Sequence, residues 1–107
     1  MKTHVKALIV GGGAVGTSIA YHLARAGWSD VMLVERDELT SGSTWHAAGL
    51  LPYFNMSYAT THIHDYSIKF YKTLEAETGL HPGFSVVGSL RMAQTQARMD
   101  AYVLYAP

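Results

Sequence analysis

The chain has 107 residues, 49% hydrophobic and 15% charged, which is enough for one small domain. Eight basic residues balance eight acidic ones, so no basic face or polybasic segment predicts binding to nucleic acid or to a membrane surface. The absence of cysteine excludes disulfides, thiolate metal ligands and a thiol nucleophile.

The N-terminal residues predict no targeting segment. Met1 to His4 lead almost directly into an apolar strand pattern, which leaves no room for a signal or transit peptide, and no apolar run reaches the length of a membrane span. We therefore expect a cytoplasmic protein, or a mitochondrial matrix protein if the source is eukaryotic and a presequence is missing.

An apolar run near the N-terminus predicts a buried strand. Val5 and residues 7–10 are almost uninterruptedly apolar, as in a parallel strand covered on both faces. A helix is predicted from about Ala14 to Ala26, with Gly27 as its C-terminal stop. Residues 31–34 form a second apolar run. Two parallel strands with a right-handed crossover helix make a βαβ unit.

The turn between the first strand and this helix matches the pattern G-x-G-x-x-G at Gly11, Gly13 and Gly16. The first glycine permits a tight turn, the second lets a pyrophosphate approach the backbone, and the third lets the helix pack close to the strand. The N–H groups around Ala14 and Val15 lack intrahelical partners and form an anion site with the helix dipole. The alternative is a glycine-rich loop that binds no ligand.

A carboxylate at the end of the second strand supports the nucleotide interpretation. Glu35 lies 19 residues after Gly16, where this fold places an acidic side chain on the ribose hydroxyls. Such a carboxylate favours a free 2′-hydroxyl, as in NAD or in the adenosine half of FAD. The next residue, Arg36, either lines the adenine edge, binds a phosphate or is a solvated side chain.

The segment that follows Arg36 predicts a loop. Residues 37–51 are rich in small and hydroxyl side chains and have little periodicity, although a short helix that opens after Ser43 or Thr44 is an alternative. A loop beside the ends of parallel strands is where a ligand's polar groups are met.

The rest of the chain predicts two more helices and a strand. Helical spacing of apolar residues predicts a helix over residues 61–78 that Gly79 ends. The later elements are a turn at residues 81–83, a strand over 84–93 with a bulge or bend at Gly88-Ser89, and a helix over 94–105.

The predicted fold class is α/β, a truncated Rossmann-type βαβ unit. We assign residues 1–107 to the N-terminal part of an FAD-binding domain, with about 84–107 as an alternative start of a substrate-domain sheet. A complete dinucleotide-binding half needs more strands than this chain supplies, so a longer enzyme is expected. An isolated βαβ unit also exposes a sheet edge and apolar surface, which argues against independent folding.

Several of these motifs together resemble the N-terminus of dimethylglycine and sarcosine dehydrogenases, within the wider D-amino-acid-oxidase-like family of FAD enzymes. The resemblance rests on residues 11–16, on residues 33–36 and above all on residues 39–50, which include the run Ser-Thr-Trp-His-Ala-Ala-Gly. It continues through residues 63–78 to 88–90. It covers nearly all of this chain but a minor N-terminal part of the family's length.

The resemblance implies FAD as the cofactor. The expected FAD-binding residues are Gly11, Gly13, Ala14, Val15, Gly16, Glu35, Arg36, Gly42, Ser43, Thr44, Trp45, His46, Ala47, Ala48, Gly49 and Leu50. In the family, the histidine of this run is joined covalently to the 8α-methyl group of the flavin, and His46 occupies that position. Such a bond raises the cofactor's potential and prevents its loss. The alternative is a loop histidine that hydrogen-bonds the cofactor or caps a helix.

The resemblance also implies an activity. The expected reaction oxidises the N-methyl group of a small amine such as dimethylglycine or sarcosine by hydride transfer to flavin N5, giving the demethylated amine and a one-carbon unit. The expected electron acceptor is an electron-transfer flavoprotein or oxygen. The alternatives are an NAD-dependent dehydrogenase, an FAD enzyme for another amino or hydroxy acid, and a non-catalytic regulatory relative. The catalytic base is not among these residues.

The remaining histidines and aromatic residues carry weaker signals. His62 and His64 lie two apart on a predicted helix and so point to different faces, which predicts exposed side chains and no metal site. Aromatic side chains between residues 53 and 71 fit either a cage for a methylated amine or a core. We assign Tyr66 and Phe70 to the core.

Overall fold

The computed structural model describes residues 3–53, 55 and 57–105. Its elements are strand β1 (Ala7–Val10), helix α1 (Ala14–Arg25), strand β2 (Val31–Val34), helix α2 (Tyr58–Thr78) and helix α3 (Gln96–Tyr105). The chain divides into two compact units, one that ends at Gly49 and one that begins at Leu50. The first unit holds both strands and α1, and the second holds α2 and α3.

The first unit is a βαβ unit. β1 and β2 pair in parallel, with Ala7 opposite Val31 and Val10 opposite Val34. The pairing extends one residue further, because the N–H of Gly11 donates to the carbonyl of Val34 at 2.8 Å. A parallel pair requires a crossover, and α1 supplies it while packing on both strands. The predicted α/β class and all three predicted elements of this unit are confirmed.

One prediction for β1 is wrong. Ile9 is buried, but its neighbours Leu8 and Val10 are 56% and 80% exposed. Within the described residues of the unit that ends at Gly49, α1 packs on both strands, and no second layer covers Leu8 and Val10. The apolar run therefore does not lie in a sheet covered on both sides.

The ends of the helices agree closely with the sequence pattern. α1 ends at Arg25, one residue before the predicted end, and the N–H of Gly27 donates to the carbonyl of Ala24. α2 begins at Tyr58, three residues before the predicted start. It ends at Thr78, and its C-cap residue Gly79 has a φ of +72°, the left-handed conformation that commonly terminates helices.

The strand predicted over residues 84–93 does not form within the described chain. Its apolar residues Val87 and Leu90 are 87% and 91% exposed. A strand needs a partner for its backbone N–H and C=O groups, and no described segment pairs with this one. The following helix is confirmed, but begins at Gln96.

Side chains on α2 depart from two predictions. His62 is exposed as predicted, but His64 is half-buried, and its Nδ1 has no hydrogen-bond partner among the described residues. Tyr66 is 56% exposed and so is not a core residue. The half-buried Phe70 stacks on it, with ring centroids 6.5 Å apart and planes 8° apart.

Among the described residues, no group of three or more histidine, aspartate or glutamate side chains could hold a metal ion. None of the helices described is long and apolar enough to cross a membrane.

Candidate nucleotide-binding site

The glycine-rich turn between β1 and α1 is fixed by two backbone requirements. Gly11 has a φ of +105°, which residues with a Cβ rarely adopt. Gly16 lies so close to the carbonyl oxygen of Gly11 that an added Cβ would collide with it. The turn therefore needs glycine at both positions, as the motif predicts.

The first turn of α1 contains backbone N–H groups that the helix itself cannot satisfy. Within the described residues, the N–H groups of Val15 and Gly16 have no hydrogen-bond acceptor. These groups lie at the positive end of the helix dipole, which suits a phosphate. These two N–H groups are therefore available to donate to an anion, and the anion site itself stays a prediction.

The N–H of Ala14 has no partner within the helix, as predicted, but it is not left without an acceptor. It donates to the Thr44 hydroxyl at 2.9 Å, so it already has a partner. A hydroxyl that accepts a hydrogen bond can still donate its own hydrogen. The Thr44 hydroxyl can therefore accept the Ala14 N–H and at the same time donate its own hydrogen to an anion beside the start of α1.

The carboxylate of Glu35 receives three backbone hydrogen bonds. Its Oε2 accepts from the N–H of Gly12 at 2.6 Å, and its Oε1 accepts from Arg36 at 2.8 Å and from Asp37 at 3.2 Å. These bonds, that from Gly12 first, hold the pKa of Glu35 below its ordinary value. A carboxylate has about four acceptor positions, so one stays open for a ribose hydroxyl.

The loop after β2 lies on the glycine-rich turn. The N–H of Thr40 donates to the carbonyl of Gly12 at 3.1 Å, and a methyl group of Leu39 lies so close to Gly12 that an added Cβ would collide with it. Successive turns then run through the Ser43–His46 and Thr44–Ala47 hydrogen bonds, at 3.2 and 3.3 Å. The predicted loop is confirmed, and the alternative of a short helix after Ser43 or Thr44 is not observed.

His46 has a defined ring orientation. Its Nδ1 lies 3.1 Å from the carbonyl oxygen of Gly42. A carbonyl oxygen only accepts hydrogen bonds, so Nδ1 carries the hydrogen, and Nε2 of the neutral ring keeps a lone pair. The His46 side chain is exposed. The imidazole is therefore accessible, and in its neutral form it has a nucleophilic lone pair on Nε2.

A groove of about 1120 Å³ runs across the turn, β1 and the loop. This exceeds the range of about 300–1,000 Å³ typical of small-molecule sites. The predicted residues that line it are Gly11, Gly13, Ala14, Val15, Gly16, Glu35, Arg36, Gly42, Ser43 and Thr44. The predicted residues that do not line it are Trp45, His46, Ala47, Ala48, Gly49 and Leu50.

Some of the lining was missed by reasoning from the sequence. Asp37 and Ser41 contribute to the groove, and both lie within the hydroxyl-rich loop that had been expected to meet the ligand. The apolar part of the lining comes from both strands and from α1, at Ala7, Leu8, Ile9, Val10, Ile19, Leu23 and Val34. Apolar residues at strand and helix spacing predict packing, and no local signal distinguishes an apolar groove wall from a core.

Residues 6–106 match the family model described as FAD dependent oxidoreductase. The chain belongs to this family of FAD-dependent oxidoreductases. Family membership confirms the predicted resemblance and makes FAD, rather than NAD, the cofactor of the group. The residues present fit that cofactor, since they offer N–H groups for a diphosphate and a carboxylate for a ribose.

Two curated relatives are similar over almost the whole chain. Human mitochondrial dimethylglycine dehydrogenase is 52% identical over 101 residues, which are 94% of this chain and 12% of that protein. The 4-methylaminobutanoate oxidase (formaldehyde-forming) of Paenarthrobacter nicotinovorans is 44% identical over 106 residues, 99% of this chain and 13% of that protein. The chain thus spans about one eighth of the length of these relatives.

A solved structure agrees with the fold. Glycine oxidase from Bacillus cereus ATCC 14579 superposes with a TM-score of 0.68 and 27% sequence identity. The match covers 94% of this chain and 29% of that one. The predicted Rossmann-type fold is therefore confirmed.

Proposed function

We propose that this chain is the N-terminal FAD-binding part of a longer oxidoreductase that demethylates a small N-methyl amine. The observation that carries the proposal is the 52% identity to dimethylglycine dehydrogenase over 94% of the chain. A second relative is named for the formation of formaldehyde, the one-carbon product expected of such a reaction. Bound flavin supplies the redox chemistry by accepting a hydride from the N-methyl carbon, and the protein supplies binding and orientation.

Each part of the site has a separate role in this proposal. The N–H groups of Val15 and Gly16, together with the Thr44 hydroxyl, bind the diphosphate. Glu35 accepts a hydrogen bond from the adenosine ribose. Its negative charge disfavours a 2′-phosphate at the same place, which is consistent with FAD as the cofactor.

We further propose that His46 is bonded covalently to the 8α carbon of the flavin. The support is the Nδ1 hydrogen bond to Gly42, because it leaves the Nε2 lone pair available in the neutral ring. The bond replaces one C–H bond of the 8α-methyl group by a C–N bond. Two protons and two electrons leave in the process, and molecular oxygen takes up the electrons.

The covalent bond is tested on the full-length protein by acid denaturation and gel electrophoresis. Flavin fluorescence should stay with the wild-type band and disappear from the band of His46→Ala. His62→Ala is the matched control, since His62 is an exposed histidine on α2. Flavin that washes out of the wild-type protein contradicts the covalent bond, and flavin that stays with His46→Ala assigns it to another residue.

The substrate class is tested by anaerobic reduction of the bound flavin. Dimethylglycine, sarcosine and 4-methylaminobutanoate should each bleach the flavin absorbance. Formaldehyde should then be detected as the one-carbon product. Reduction by glycine or by hydroxy acids alone would favour an FAD enzyme of another specificity. Bound flavin that no amine reduces would favour a regulatory relative.

The electron acceptor and the cellular location complete the proposal. Turnover with oxygen alone identifies an oxidase, whereas turnover that needs an electron-transfer flavoprotein identifies a dehydrogenase. For a eukaryotic source we propose the mitochondrion, since the human dimethylglycine dehydrogenase carries that location in its name.

A further inference from the structure

Thr40 adopts an unusual backbone conformation in the loop that carries His46. Its φ of +69° is the one positive value of a non-glycine residue in the described chain. Threonine is β-branched, and such residues are genuine outliers in the left-handed region. Strain of this kind persists where the surrounding contacts over-determine the conformation.

The contacts of Thr40 are made by its backbone. Its N–H donates to the carbonyl of Gly12 at 3.1 Å, and its carbonyl accepts from the N–H of Trp45 at 3.1 Å. The Trp45 N–H is shared with the carbonyl of Gly42 at 3.2 Å. Thr40 thus joins the glycine-rich turn on one side to the residue that precedes His46 on the other.

The side chain of Thr40 is not part of this connection. Thr40 is exposed, and its hydroxyl makes no hydrogen bond with another described residue. The backbone angle and the two backbone hydrogen bonds therefore carry any role of this residue.

We propose that Thr40 is a positioning residue for the flavin, whose left-handed backbone fixes the His46 loop against the glycine-rich turn. The inference rests on the proposed attachment of FAD at His46. In the proposed site the turn holds the diphosphate. A loop that is hydrogen-bonded to that turn therefore fixes the position of His46 relative to the cofactor before the covalent bond forms. Misplacing a reacting group by about 1 Å slows a reaction on the order of 100-fold.

The test measures the rate at which full-length apoprotein incorporates FAD into an acid-stable form. Thr40→Pro removes the N–H and excludes a positive φ, so we expect incorporation at least about tenfold slower than in the wild type. Thr40→Gly and Thr40→Asn tolerate the left-handed conformation and should keep the rate within about twofold. Thr40→Val is the matched control that loses the hydroxyl alone, and should do the same.

Two results would overturn the inference. One is a wild-type rate in Thr40→Pro. The other is a loss in Thr40→Val or Thr40→Gly as large as that in Thr40→Pro, since the backbone conformation is retained in both. Hydrogen exchange of the wild-type apoprotein provides a test that needs no variant: the amides of Thr40 and Trp45 should be protected, and rapid exchange of both contradicts the proposal.

A last comparison separates this inference from the proposed covalent bond. The dissociation constant of FAD is measured by flavin fluorescence quenching for each Thr40 variant in a His46→Ala background. If wild-type protein never forms the covalent bond, the proposed attachment fails. Weaker FAD binding by Thr40→Pro alone would still support the role of Thr40 in holding the loop against the glycine-rich turn. Equal binding by all variants then overturns the role of Thr40 as well.

Discussion

The carboxylate of Glu35 accepts a 2.6 Å hydrogen bond from the backbone N–H of Gly12, which lies 23 residues earlier in the chain. This bond joins the end of β2 to the glycine-rich turn that follows β1. One side chain therefore both recognises the ribose in our proposal and holds the turn that binds the diphosphate. The two halves of the nucleotide site depend on the same charge.

Replacing Glu35 by glutamine should weaken FAD binding. Glutamine keeps one acceptor oxygen but loses the charge, and its amide group faces N–H donors where Oε1 accepts hydrogen bonds from Arg36 and Asp37. Hydrogen bonds to an ionised acceptor are roughly twice as strong as neutral ones, so we expect about a tenfold increase in the dissociation constant. Fluorescence quenching in the His46→Ala background measures it. Glu38 is an exposed carboxylate in the loop after β2, and Glu38→Gln should leave the FAD dissociation constant unchanged.

The lowered pKa of Glu35 makes a prediction about acid stability. A carboxyl group whose pKa is lower in the folded state stabilises the fold fully above its ordinary pKa of about 4.3, and this stability is lost as the pH falls through the folded value. The melting temperature of the wild-type protein should therefore fall more steeply below about pH 4.3 than that of Glu35→Gln. Parallel curves for the two proteins between pH 7 and pH 3 would contradict this assignment.

The sequence predicts the positions of two candidate site residues, Glu35 and Thr44, where those positions depend on local spacing. The distance from Gly16 to Glu35 places a carboxylate beside the turn, and the structure has it there. The hydroxyl-rich loop likewise lies against the same turn through Thr44. Both features need one βαβ unit, whose short crossover fixes the position of each end.

The features that the sequence did not predict depend on contacts that no local pattern encodes. Residues 84–93 have the composition of a strand, but a strand forms where a partner accepts its hydrogen bonds, and composition does not supply the partner. Tyr66 has helical spacing typical of a core face, yet Tyr66 itself is 56% exposed. The positive φ of Thr40 could not be predicted either, because glycine and asparagine are the residues whose presence indicates a left-handed conformation in a sequence.

A methyl group at Gly16 should disrupt the turn. The Cβ of Gly16→Ala would collide with the backbone oxygen of Gly11, and backbone cannot move aside as a flexible side chain does. We expect a loss of about 1–3 kcal/mol in stability, as is typical of overpacking, and a lower melting temperature of the apoprotein. Gly42→Ala is the matched control, because its Cβ would meet nothing within 4 Å and its φ is not positive. Equal melting temperatures for the two variants would rule out close packing as the reason for Gly16.

The hydroxyl of Thr44 should contribute to FAD binding through the N–H of Ala14. Thr44→Val keeps the shape of the side chain but leaves that N–H without an acceptor and removes a donor to the diphosphate. The loss of one such hydrogen bond costs about 1 kcal/mol, so we expect the FAD dissociation constant to rise roughly fivefold. Thr44→Ser retains the hydroxyl and should restore most of the affinity, measured by the same fluorescence titration in the His46→Ala background. If Thr44→Val binds as tightly as wild type, the hydroxyl caps α1 without touching the cofactor, and the diphosphate is held by the N–H groups of Val15 and Gly16 alone.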